Sequence, residues 1–209
     1  MNLDDLQYFK SIDTQNFLAH IDSLPDQVAA AWKLGQAYAL PEAFHDVTNI
    51  VIAGMGGSAI GGALAQARAA PECPVPIAVV RDYSLPAFVG PNTLVIGSSH
   101  SGDTEETLGA CEAAVGRGAK LLAITRGGKL AALAERQGAP VWRFEHTGQP
   151  RAAVGCSFML MLAVLAKLGF VSDKSAEVAE AVEAMRAQQV SLRADSPVAR
   201  NPAKRMAGQ

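Results

Sequence analysis

The chain has 209 residues, 49% of them hydrophobic and 18% charged, which is enough apolar sequence to bury a substantial core and too much for a disordered chain. A net charge of -2, with no run of Lys and Arg long enough to form a patch, excludes a protein that grips a nucleic-acid backbone. Cys73, Cys111 and Cys156 are odd in number, far apart and without CxxC spacing, which excludes a disulfide framework and a zinc site and suits a reducing cytoplasm.

The N-terminus, MNLDDLQYFK, has neither the charged nor the apolar region of a signal peptide. The first forty residues read as two helices broken around Ser23-Leu24-Pro25-Asp26, with Ser23 as cap, Pro25 early in the turn and Asp26 at the positive helix end. Short β-branched runs then alternate with helix-like segments, the pattern of a parallel sheet with crossover helices. The predicted strands are Asn49 to Ala53, Ile77 to Arg81, Thr93 to Ser98, Lys120 to Thr125 and Pro140 to Phe144. The predicted helices between them are Ser58 to Ala69, Asp103 to Gly116 and Gly128 to Gln137. Right-handed crossovers make this a three-layer α/β/α fold around a five-stranded parallel sheet, with a ligand crevice beyond the carboxyl ends of the strands.

The longest apolar stretch, Ala152 to Leu168, is interrupted by Gly155, Cys156, Ser157 and Lys167; it reads as a core helix and not as a membrane span. An amphipathic helix follows, with Val178, Val182, Met185 and Leu192 on one face. After a polar linker, Arg193 to Arg200, the run Asn201-Pro202-Ala203-Lys204 announces a new helix, with Asn as cap and Pro in the first turn. A helix of seven residues is not stable alone, so a further domain is expected beyond it. The expected organisation is a helical arm over 1–44, an α/β domain over 45–170, a helix over 171–195, and a linker with the start of a second domain over 196–209.

Two loops carry the chemistry. Gly54-Met55-Gly56-Gly57-Ser58-Ala59-Ile60-Gly61-Gly62 follows the first strand and opens a helix. Its glycines allow close backbone approach, and the helix start offers free N–H groups to an anion. Gly54, Gly56 and Ala59 also satisfy a dinucleotide spacing, with Asp82 after the second strand, and the same glycines would serve a tight turn alone. The second loop, Ser98-Ser99-His100-Ser101-Gly102-Asp103-Thr104-Glu105-Glu106-Thr107, follows the third strand. Ser99, Ser101 and Thr104 each offer a hydroxyl to phosphate oxygens at another helix start. A dinucleotide needs no hydroxyl cluster there, so the two loops together favour a phosphosugar. Helix capping accounts for only one of the hydroxyls, with Glu105 and Glu106 answering the dipole.

GMGGSAIGG, then SSHSGDTEET, then Gln149-Pro150-Arg151-Ala152-Ala153 resembles the bifunctional phosphoglucose/phosphomannose isomerases of the SIS (sugar isomerase) superfamily. The resemblance covers the first of that family's two domains. It implies a flavodoxin-like sheet and interconversion of glucose 6-phosphate or mannose 6-phosphate with fructose 6-phosphate through an enediol. It also implies a cytoplasmic homodimer with shared active sites, and neither cofactor nor metal. Gly57 and Ser58 match the family's first substrate loop, Ser99, Ser101 and Thr104 its phosphate loop, and Arg151 its active-site arginine. A fixed cation at Arg151 would stabilise the negative charge of the enediolate.

Proton transfer also needs a general base, and ring opening an acid or base. The resemblance assigns these to a glutamate, a histidine and a lysine of the second domain. Here Glu105 and Glu106 suit a structural role at the helix start, while His20, His45 and His146 carry no spacing signal. Two positions depart from the family pattern: His100, often aromatic there, reads as lining the pocket, and Asp103, usually Asn, adds a negative charge beside the proposed phosphate site. The alternative function is a non-catalytic sugar-phosphate-binding module, although no DNA-binding helix-turn-helix is attached. A nucleotide-dependent dehydrogenase rests only on the Gly54-x-Gly56 spacing.

Overall fold

Strand-forming residues cluster where the apolar runs predict. The computed structural model describes residues 2–208 and contains one parallel sheet of β1 (Asn49–Gly54), β2 (Ile77–Val80), β3 (Thr93–Ser99), β4 (Lys120–Thr125) and β5 (Val141–Arg143). The spatial order is β2-β1-β3-β4-β5, the flavodoxin-like order expected. No strand end differs from the predicted one by more than a single residue; the fifth strand is trimmed most, by one residue at each end to three.

Side-chain alternation along the strands splits the core in two. Ile50, Ile52, Leu94, Ile96, Leu122 and Ile124 face one layer, formed by α3 (Leu24–Ala37), α4 (Gly56–Ala69) and α7 (Val154–Lys167). Val51, Ala53, Val95, Leu121 and Ala123 face the other, formed by α5 (Glu105–Gly116) and α6 (Gly128–Arg136). These are the three layers of the fold. Helix α7 packs against both α3 and α4, which is why it is apolar nearly all round. By length and composition Pro150–Lys167 would suit a membrane span, but 67% of it is buried inside the domain, as a core helix should be.

The N-terminal arm differs from the expectation of two helices. It holds α1 (Leu6–Ile12) and α2 (Phe17–Asp22) before α3, because the chain also breaks at Asp13–Asn16. The Asp13 carboxylate accepts the N–H groups of Phe17 and Leu18 at 2.7 and 2.8 Å, and Asn16 takes the left-handed conformation at φ 53°. Ser23 does not cap α3; its hydroxyl donates backward to the carbonyl of His20. Pro25 and Asp26 do occupy the first turn of α3.

Beyond the sheet, α8 (Ser175–Leu192) packs on α3 through Val178 and Val182, with Met185 partly buried against the same cluster. Leu192, predicted on that stripe, is instead 44% exposed at the helix end. The predicted helix start at Asn201 is present as α9 (Pro202–Ala207), where the Asn201 side chain accepts the Lys204 N–H at 3.1 Å. Lys204 is itself buried and reaches Asp4 Oδ1 at 3.0 Å, tying α9 to the start of the arm.

Candidate functional site

The strand order reverses between β1 and β3, where Gly54 pairs with Ser98. Helix α4 leaves β1 toward one layer and α5 leaves β3 toward the other, so both helix starts flank one crevice at the carboxyl edge of the sheet. Neither helix has a side-chain cap on its first turn. Two sets of backbone N–H groups with partial positive charge therefore border the crevice.

Gly57 and Ser58 lie in the first turn of α4, and a 3₁₀ turn, Pro150–Ala153, is laid across them. A β-carbon on Gly57 would stand 2.9 Å from the Pro150 carbonyl oxygen and 3.3 Å from the Arg151 Cα. This close approach is what glycine permits there, and it brings the backbone of Arg151 to the mouth of the crevice. The Arg151 side chain is exposed, with Gln149 Oε1 at 3.5 Å.

The loop after β3 is built by its own hydroxyls. Ser99 is 2% exposed; its Oγ accepts the Gly102 N–H at 3.0 Å and lies 2.8 Å from Thr104 Oγ1. Ser101 Oγ accepts the Asp103 N–H at 3.1 Å. One hydroxyl proton of the Ser99–Thr104 pair is thus spent inside the loop, which leaves that pair one O–H to offer and Ser101 another. None of the three caps α5 through its side chain. The turn depends on Gly102, at φ 80°, where a β-carbon would fall 1.8 Å from the Gly127 carbonyl oxygen.

Asp103 does not direct its charge into the crevice alone. Its Oδ1 accepts the Lys129 N–H at 3.1 Å, so the carboxylate caps α6. Glu105 and Glu106 occupy the first turn of α5, with the Tyr83 hydroxyl 3.5 Å from Glu105 Oε2.

A histidine cluster went unseen in the sequence. His100 is 8% exposed, with Nε2 at 3.1 Å from His146 Nδ1 and its ring edge-on to Phe144. His20, from α2, lies against His146 with ring centroids 5.3 Å apart. Burial, then His146 and Arg126, push His100 down to about 4; burial, then His20 and Arg126, lower His146. His146 Nε2 is buried without a partner. His100 and His146 are 46 positions apart, which leaves no local signal for this pairing. His45 lies elsewhere, just after the 3₁₀ turn Glu42–Phe44.

A cavity of about 720 Å³ opens between α3 and the end of β5, near Leu34, Tyr38, Arg126 and Phe144, and contains none of the crevice residues. A second, of about 460 Å³, lies between His20 and Gly148, Gln149 and Pro150, beside the Arg151 turn. Among the described residues no group of three His, Cys, Asp or Glu side chains is placed to hold a metal ion.

No family model matches the sequence. The chain is 41% identical over 184 residues to a bifunctional phosphoglucose/phosphomannose isomerase from Caldicellulosiruptor bescii, covering 88% of this chain and 54% of that protein. It is 40% identical over 134 residues to one from Thermoplasma acidophilum, covering 64% of this chain and 39% of that protein. The chain thus spans about half the length, or less, of the curated relatives it matches. Among solved structures, tagatose-6-phosphate ketose/aldose isomerase from Escherichia coli superposes with a TM-score of 0.60 over 82% of this chain and 51% of that one. At 18% identity that likeness speaks for the fold alone.

Proposed function

We propose that this chain, which belongs to the bifunctional phosphoglucose/phosphomannose isomerase family, forms the phosphate-gripping half of a cytoplasmic aldose–ketose isomerase. Its substrates are glucose 6-phosphate or mannose 6-phosphate and fructose 6-phosphate. The observation that carries this reading is the convergence of two uncapped helix starts and the Ser99–Ser101–Thr104 loop on one crevice, with the Arg151 turn resting on Gly57. A phosphate monoester needs N–H and O–H donors, and this crevice supplies both.

In this reading the phosphate sits between Ser101, the Ser99–Thr104 pair and the start of α5, with Gly57 and Ser58 along the sugar. Moving a proton between C1 and C2 creates an enediolate, whose charge the exposed Arg151 guanidinium stabilises. No base is assigned among these residues: the Tyr83 hydroxyl lies 3.5 Å from Glu105 Oε2, and the buried His100 and His146 rings are engaged with each other. The base and the ring-opening group come from the part of the relatives that this chain does not span. The complete enzyme works as a homodimer. Enediol chemistry of this kind erases the C2 stereocentre, which is how one site serves both aldoses.

Isothermal titration of this chain with fructose 6-phosphate, beside an isomerase assay on the same sample, tests the reading. Binding of fructose 6-phosphate but not of fructose, without turnover, is the expected result. Loss of that binding in Ser99→Ala/Ser101→Ala, with the fold intact by circular dichroism, locates it in the loop. Absence of binding, or unchanged affinity in the double variant, overturns the assignment.

A further inference from the structure

We propose that His100 and His146 are a positioning pair that locks the phosphate loop to the Arg151 turn, an inference that rests on the proposed function. His100 lies between Ser99 and Ser101, just past the end of β3, and is buried at 8% exposure while those serines shape the loop. His146 lies five residues before Arg151. Their Nε2–Nδ1 contact is the one hydrogen bond, among the described residues, that joins loop 98–104 to segment 145–151.

That segment is also held from the N-terminal arm and from α4, and the Gln149 amide donates to Gln15 Oε1 at 2.9 Å. A β-carbon on Gly148 would lie 2.7 Å from the His20 ring, and Pro150 and Arg151 rest on Gly57. Strand β5 ends at Arg143, so nothing in the sheet fixes the chain between Glu145 and Gln149. The imidazole bond therefore sets where the 3₁₀ turn carrying Arg151 begins, relative to the serines that would hold the phosphate.

Such a bond needs one N–H and one bare nitrogen. The charged and titratable groups facing the pair are Arg126, from the loop after β4, and His20, from α2, and no carboxylate acts on either ring. Burial, Arg126 and the neighbouring imidazoles disfavour a charge on both rings, opposed at His146 by a backbone hydrogen bond at Gly148. A second proton removes the acceptor and breaks the link.

The test is a double-mutant cycle. Fructose 6-phosphate affinity is measured by titration calorimetry at pH 7.5 for wild type, His100→Phe, His146→Phe and the double variant, phenylalanine keeping the aromatic packing. Each single change is expected to weaken binding about threefold to tenfold, with the double variant no worse than either single one. As pH falls toward about 4, where His100 gains its proton, the wild type should lose affinity faster than the double variant, which follows the phosphate ionisation of the ligand alone. Additive losses, losses under twofold, or identical pH profiles overturn the proposal.

If the wild type does not bind fructose 6-phosphate, the proposed function fails first. Hydrogen exchange without ligand then decides on the pair: His100→Phe should speed exchange in segment 145–151, and unchanged exchange there overturns it.

Discussion

Asp103 and Lys129 join two loops: the Asp103 carboxylate of the loop after β3 accepts the Lys129 N–H at the start of α6, at 3.1 Å. The residue that departs from the family's usual Asn thus serves as the cap that Gly127, lacking a side chain, does not provide. Asn and Asp cap about equally well, while Ala does not. Asp103→Ala should therefore destabilise the fold by about 0.5–2 kcal/mol and Asp103→Asn by a few tenths at most. Urea denaturation of both variants checks this. A loss in Asp103→Asn as large as in Asp103→Ala would contradict the capping role.

Gly102 makes the junction possible from the other side. It holds φ at 80°, donates its N–H to Ser99 Oγ, and gives its carbonyl to the Leu130 N–H at 2.8 Å. Alanine there meets both left-handed strain and the Gly127 carbonyl. Gly102→Ala should cost at least ~2 kcal/mol, from about 1–2 for the backbone and roughly 1–3 for the overlap. Fructose 6-phosphate binding should fall with it. Normal stability together with normal binding would show that the loop rearranges freely.

What the sequence revealed and concealed follows the range of the interactions. Strands such as Thr93–Ser99, buried at all seven positions, and the glycine and serine loops after β1 and β3 are written in contiguous residues. So is the Asn201 cap of α9, with proline next to it. The break at Asp13–Asn16 was local too, yet Asp13 reads as an ordinary polar residue until its carboxylate is seen on two N–H groups. Asp103 capping a helix 26 residues ahead, and His100 meeting His146 and His20, depend on how the sheet brings distant segments together. No period or spacing encodes those. Leu192 has the right spacing for the stripe of α8, but the core ends before the helix does.

The cysteines separate by burial. Burial pushes the Cys111 thiol up to about 12 and the Cys156 thiol up to about 11, while Cys73 is only partly covered. Since the thiolate is the nucleophile, brief alkylation of the native protein at pH 8 should modify Cys73 well before the other two. Peptide mass spectrometry reads the order. Early labelling of Cys111, which packs against Gly97 of β3, would mean that the α5 layer opens more easily than this packing allows.

The acid limb of stability should report on Glu72, in the turn just after α4. Its carboxyl is pulled down to about 2, first by Lys174 and then by the Ser172 N–H and hydroxyl. Lys174 is 3% exposed and also reaches Glu177, which Arg68 holds from α4, so the group fastens α8 to α4. A carboxyl depressed in the folded state lends stability above its unfolded value of 4.5 and loses it as pH falls toward 2. Glu72→Gln should therefore melt below wild type at pH 6, and the gap in Tm should close progressively between pH 4.5 and 2.5. A gap that stays constant across that range would mean the carboxylate charge is not what Lys174 requires, and that the hydrogen-bonding shape alone holds α8 in place.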